Sequence, residues 1–244
     1  DISGRALVKW PKQDGMFYIF SGKFYGGFSY SIVDLKLYNG FGAVTDKNIP
    51  VESSWDASGR IAIVKEENSE NVWVITRKFT NDAMAVYLVD QNGFNPNPII
   101  SEMPDRSVNP GMDYGYIKIS SNKKYMVSSY AVHGTLEISR FNASNGMVDY
   151  LFTITEPNGG IYPCHGIEFS PDSKFLYASF SISEYNNLIY QYDMLDIGDS
   201  TLFKNSALLI GTGSAFGMQL ARDGRIYLTD FHGTAANYYL SIIN

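Results

Sequence analysis

Lys118, Glu168 and Gln219 are the residues whose types and spacing could carry chemistry. They recur at intervals of 50 and 51 residues, each between two apolar neighbours: Ile117-Lys118-Ile119, Ile167-Glu168-Phe169 and Met218-Gln219-Leu220. A cation, a carboxylate and an amide at one repeated position could bind a polar ligand or an ion. The same side chains could instead line a water-filled channel, with Lys118 and Glu168 doing no more than pairing with each other. An exposed pair of that kind contributes roughly 0–1 kcal/mol, too little to account for its placement by stability alone.

The remaining reactive side chains are few. The three histidines are His133, His165 and His232. Their places in the repeat differ, so no three-histidine metal ring is expected. The single cysteine, Cys164, excludes a disulfide framework and a Cys-rich metal site. Neighbouring residues on a strand point to opposite faces, so Cys164 and His165 are not expected to form a thiolate–imidazolium pair. Cys164 reads as a free, buried, structural thiol. No GxSxG elbow, P-loop, HExxH or CxxC motif occurs. Gly211-Thr212-Gly213 reads as a turn with no phosphate-binding helix after it. The sequence therefore names no catalytic residue, metal ligand or cofactor, and a non-catalytic protein is the preferred reading.

The arc residues sit in a repeating unit. Ile117 to Ser120, Ile167 to Ser170 and Met218 to Ala221 each precede a polar turn at Asn122, Asp172 and Asp223. A second apolar strand follows at Tyr125, Phe175 and Ile226. Further on, strands run into an Asx residue: YSIVD to Asp34, VYLVD to Asp90, ISRFN to Asn142, IYQYD to Asp193 and LSIIN to Asn244. A short Asx side chain accepts from the backbone two residues on, so these residues read as turn formers. A calcium reading is weak, because one carboxylate per unit is not a cluster. Glycine follows at Gly40, Gly93 and Gly146, where a tight turn needs positive φ.

Strand-rich units of this length predict an all-β fold: a β-propeller of four-stranded antiparallel blades, about 50 residues per blade. The chain reads as a single domain over residues 1–244. Its blades run roughly over 5–53, 59–102, 115–156, 165–211 and, as a partial blade, 216–244. The fourth, outermost strands are expected near Val44, Ile99, Leu151 and Leu208. Runs such as VWVIT and AVYLV are apolar throughout, as expected when both faces of a blade are covered. Because the last unit stops short of a fourth strand and the chain begins at Asp1, an incomplete propeller is expected. The stretch Ser101 to Gly111, with two prolines, reads as a long connection that could bind a partner.

Composition narrows the partners. The net charge is −6, with 18% charged and 15% aromatic residues. No Lys/Arg cluster exceeds a dipeptide, such as Lys123-Lys124, so nucleic acid and anionic membrane surfaces are poor partners. No apolar run is long enough for a membrane-spanning helix.

Taken together in order, the strings resemble one family. Tyr18-Ile19-Phe20-Ser21 with Phe28 to Asp34 is similar to "YYIFT…YSVVD". Gly40 to Thr45 with Lys47-Asn48 is similar to "GLGDVTTKN". Trp73-Val74-Ile75-Thr76 resembles "YWVVTH", with Arg77 where histidine is common. Gly115 to Ser120 is similar to "GYLKFSPDG", and Gly166 to Ser173, Leu176-Tyr177 and Tyr190 to Asp193 are similar to "GVEFSPDSKKLYVS…YQYDL". Gln219-Leu220 to Ile226-Tyr227 resembles "LQLGPDGKIY". These patterns mark the WD40-like/YVTN-like β-propeller regions of large exported bacterial proteins, gliding-motility-associated or type IX secretion cargo, many with PKD modules. The resemblance implies an extracellular or cell-surface location, a role in adhesion or protein binding, and other modules on the same long polypeptide. The partner would be a glycan, a protein or a neighbouring module. It carries no established catalytic residue. Lactonase- or lyase-like propellers share the "FSPDSKFLY" style of blade, so an enzyme with a channel-mouth site is the alternative. A cytoplasmic WD40-like hub is a third reading. Fold alone does not separate these, because propellers host many functions.

Overall fold

The computed structural model describes residues 3–23, 27–52, 58–78, 82–104, 115–160, 162–183, 186–213, 215–231 and 238–243. They form five antiparallel sheets, the blades of a β-propeller. Blade one is β1 (Ser3–Lys9), β2 (Met16–Lys23), β3 (Gly27–Asp34) and β4 (Ala43–Glu52). Blade two is β5 (Ala62–Lys65), β6 (Val72–Lys78), β7 (Ala83–Asp90), β8 (Gly93–Phe94) and β9 (Ile99–Glu102). Both β8 and β9 pair with β7, so the outer strand is one strand broken in two. Pro96 and Pro98 fall in the break, where a missing N–H costs no ladder bond.

Blade three is β10 (Ile117–Ile119), β11 (Tyr125–Tyr130), β12 (Thr135–Phe141) and β13 (Val148–Thr155). Blade four is β14 (Cys164–Phe169), β15 (Phe175–Ser183), β16 (Asn186–Asp193) and β17 (Leu208–Gly213). The fifth sheet has three described strands, β18 (Met218–Leu220), β19 (Ile226–Phe231) and β20 (Tyr238–Ile243). The expected fourth strands near Val44, Ile99, Leu151 and Leu208 are β4, β9, β13 and β17, each outermost in its sheet. Gly211–Gly213 is not a turn. It lies in β17, where Gly211, Thr212 and Gly213 face Ile189, Leu188 and Asn187 of β16. A register shift between Ile189 and Tyr190 lets this glycine-rich segment stay paired.

The Asx residues act as read. Backbone amides two residues on donate to Asp34 (from Lys36, 2.8 Å), Asp90 (from Asn92, 2.7 Å), Asn142 (from Ser144, 3.0 Å) and Asp193 (from Leu195, 2.9 Å). Asn244 lies outside the described residues. Gly93 and Gly146 take φ of 114° and 73°, which a side chain would oppose. The one α-helix among the described residues, α1 (Ser200–Asn205), starts from Asp199, whose carboxylate accepts from Thr201 N and Leu202 N.

By its contacts the chain falls into two compact units, residues 1–112 with 141–149 and residues 113–140 with 150–244. In the first, β6 and β7 are buried on both faces, as their continuous apolar runs require. An aromatic group of Tyr18, Phe20, Phe28, Tyr30, Tyr87 and Phe94 fills the space beside them. Arg77, at the end of β6, is buried and donates from Nε to Asp82 Oδ1 (2.9 Å). Trp73 Nε1 donates to Ala143 O (2.9 Å) and so holds the turn after Asn142.

In the second unit, Leu136, Ile138, Ile167, Phe169, Leu176, Phe180, Tyr190, Tyr192 and Phe203 make one core. The connection from β13 to β14 is pinned by Glu156, whose side chain is fully buried. Its carboxylate accepts from Tyr190 Oη (2.8 Å), Asn158 Nδ2 (2.9 Å), Asn158 N (2.9 Å) and Gly160 N (3.1 Å). Burial, reinforced by the bond to Glu156, pushes the Tyr190 phenol up to about 12 from 10.0. A raised phenol favours the folded state while it is protonated. That contribution is present below pH 10 and is lost as pH rises from 10 to about 12. Tyr190→Phe should lower stability at neutral pH by about 1–3 kcal/mol. It should also make the urea midpoint fall less steeply above pH 10 than in the wild type. Equal alkaline slopes in the two proteins would contradict the Tyr190–Glu156 account.

Candidate functional site

The arc assembles in the second unit. Lys118 in β10, Glu168 in β14 and Gln219 in β18 come together, as equivalent places in successive inner strands require. Lys118 Nζ donates to Glu168 Oε2 (2.7 Å), Gln219 Oε1 (3.1 Å) and Met218 O (3.1 Å). An ammonium has three protons, and all three are used. Glu168 accepts two backbone bonds besides: Leu220 N to Oε2 and Phe169 N to Oε1, both 3.0 Å. Gln219 Nε2 reaches Leu220 O (3.0 Å) and keeps one N–H to offer.

Here the sequence reading needs one correction. The Lys118–Glu168 pair is not exposed: the side chains are 16% and 6% accessible. Packed inner strands and the neighbouring backbone take water's place around the carboxylate. The pair is therefore a closed network, in which removing one partner strands the other.

What sets these inner strands in place is a series of hydroxyls. Ser129 Oγ accepts from Tyr116 N (2.9 Å) and donates to His165 O in the next blade (3.0 Å). Fifty residues on, Ser179 Oγ accepts from Gly166 N (3.1 Å) and donates to Ala215 O, in the connection that leads into β18. Thr229 Oγ1 accepts from Gly217 N (2.9 Å). In the first unit, Thr76 Oγ1 donates to Arg60 O (3.0 Å).

The described histidines and the cysteine lie in different settings. Cys164 is a free, fully buried thiol, and burial raises its pKa well above 9.0. His133 is half-buried in the turn between β11 and β12, and His232 lies outside the described residues. His165 is half-buried, and burial lowers its pKa below 6.5, which favours a neutral ring near pH 7. Its ring stands edge-on to Phe216 at 4.9 Å. The cause is a bulge that strict alternation did not foresee. Cys164 faces Phe180 but Ile167 faces Ala178, so β14 carries one extra residue at this point. Among the described residues no group of three His, Cys, Asp or Glu side chains could hold a metal ion. Most of the connection Ser101 to Gly111 lies outside the described residues.

Known structures share this fold. A 6-phosphogluconolactonase-like protein of Bacteroides uniformis is 14% identical, with a TM-score of 0.52 over 92% of this chain and 77% of that one. A periplasmic gluconolactonase of Pseudomonas aeruginosa is 13% identical, with a TM-score of 0.53 over 96% of this chain and 72% of its own. The Cps50 (Swd1) β-propeller domain of Myceliophteria thermophila is 8% identical, with a TM-score of 0.53 over 93% and 68% of the two chains. No protein-family profile and no curated protein matches the chain. At these identities the likeness shows the fold alone.

The closed network has a measurable signature. Lys118→Met should destabilise the protein by about 3 kcal/mol, because it leaves Glu168 buried without its cation. Adding Glu168→Gln to that variant should restore most of the loss, a coupling that a double-mutant cycle in urea reads directly. Additive losses would show that the two side chains do not act as a pair.

Proposed function

We propose that this chain is a non-catalytic binding or scaffold propeller of an exported bacterial protein, secreted or held at the cell surface. The observation that carries the binding reading is the saturated arc. Every Lys118 proton is engaged, and Glu168 is held by Lys118 and two backbone amides. A lysine in that state is a poor nucleophile, and a carboxylate so engaged is a poor general base. A rigid polar floor remains, which can meet a ligand without further ordering cost. The mouth beside Lys118, Glu168 and Gln219 is the proposed site. Export rests on the family resemblance of the blade strings and would place the propeller among other modules of a longer polypeptide.

The second reading is a lactonase-like enzyme. One structure of similar fold is described as a 6-phosphogluconolactonase and another as a periplasmic gluconolactonase. Under that reading the purified protein opens an aldonolactone ring faster than buffer does; under the first it does not.

The binding reading is tested with ligand and glycan screens of the wild type against Glu168→Ala. Loss of affinity by tenfold or more, with folding retained, is expected. Unchanged affinity would move the site elsewhere, most directly to the connection Ser101 to Gly111. Cys164→Ala should leave binding unchanged, because the thiol is buried away from solvent and from the arc's hydrogen bonds.

A further inference from the structure

The second unit is chemically polar end to end. Its inner strands begin at one end, beside the turn between β11 and β12 and the connection from β13 to β14. Tyr116, Tyr162, His165 and Phe216 gather at that end, with Tyr116 43% and Phe216 36% exposed. Among the described residues, the Lys and Arg side chains that flank the turns leaving the inner strands lie at the opposite strand ends. Lys123 and Lys124 sit in the turn before β11, Lys174 in the turn before β15, and Arg225 in the turn before β19.

Tyr116 precedes Lys118 by two residues, and its phenol reaches Gly217, two residues before Gln219. Gly217 faces it: a Cβ there would lie 3.4 Å from Tyr116 Oη and 3.5 Å from Thr229 Oγ1. The bulge in β14 falls at His165, whose ring stands edge-on to Phe216.

We propose that this shelf of Tyr116, His165 and Phe216 binds a neutral saccharide. The proposal rests on the binding reading above and names the ligand class of the same mouth. A pyranose presents patches of C–H on its faces and hydroxyls on its rim. The C–H patches are weakly positive and suit the negative face of an aromatic ring. The hydroxyls can both donate and accept, which suits the spare amide N–H of the exposed Gln219. An anionic sugar or a phosphate would need a free cation, and the three protons of Lys118 are already engaged. An apolar peptide would cover the spare amide N–H of Gln219 without giving it a partner.

The test is an array of neutral oligosaccharides alongside sulfated and uronic-acid oligosaccharides, followed by titration calorimetry. Variants are Tyr116→Ala, Phe216→Ala and, as a control at the opposite end, Leu195→Ala, which is 85% exposed. Circular dichroism and thermal unfolding check that each is folded. The expected result is binding of neutral members only, weakened tenfold or more by Tyr116→Ala and by Phe216→Ala, unmoved by Leu195→Ala, and insensitive to salt. Neutral binding that survives both aromatic changes overturns the shelf. Tyr116-dependent binding of acidic members alone overturns the ligand class and leaves the binding reading standing. Failure to bind any saccharide, with a protein partner captured in a Glu168-dependent way, does the same. Lactone turnover lost in Glu168→Ala overturns the binding reading itself.

Discussion

A strand of three residues cannot hold its own position. β10 and β18 are that short, and each shares only three residue pairs with its neighbour. Their place is set by hydroxyls on the second strands. Ser129 and Thr229 take the backbone N–H just before β10 and β18, and Ser179 takes that of Gly166 within β14. The two serines also reach the carbonyls of His165 in β14 and of Ala215 ahead of β18. Both serines are fully buried, so a hydroxyl lost there leaves an amide and a carbonyl unsatisfied together. The spacing of Lys118, Glu168 and Gln219 in space follows from these bonds as much as from the sheets.

Much of this was legible in the sequence because it repeats. The interval near 50 residues announced the blades, and the Asx residues announced their turns, since one short side chain forms a turn with its own backbone. The arc was legible for the same reason: equal places in equal units meet. What was not legible depends on neighbours far along the chain. The burial of Lys118 and Glu168 follows from Leu220 N and Met218 O, some 50 and 100 residues away. The bulge at His165 leaves no mark in a period-two pattern, although the glycine beside it, Gly166, is such a mark once the ladder is known. A Cβ on Gly166 would lie 3.0 Å from Met218 Cγ and 3.1 Å from Ala215 O. Glu156 had no periodic signal at all. Its partners Asn158 and Gly160 are local, but Tyr190 is 34 residues on.

The two ends of the second unit use opposite chemistry for one geometric reason. Turns that leave the inner strands are built from Ser-x-Asx pairs: Ser120 Oγ with Asn122 Oδ1 (2.7 Å) and Ser170 Oγ with Asp172 Oδ1 (2.8 Å). In the third copy Ala221 has no hydroxyl, and Tyr227 Oη binds Asp223 Oδ2 instead (2.8 Å). These turns satisfy their own backbone, so their flanking residues are free to be Lys123, Lys124, Lys174 and Arg225, which keep the end hydrated. At the other end the hydroxyls are spent on the strands themselves.

That division bears on where recognition resides. Charge at the turn end is exposed and screened by salt, so it adds solubility and little selectivity. At the arc, Lys118 and Glu168 are engaged with each other. On the proposal above, a saccharide there meets the rings of Tyr116, His165 and Phe216 and the amide edge of Gln219. Its selectivity would come from shape and from the direction of hydrogen bonds, because the arc's two charges answer each other.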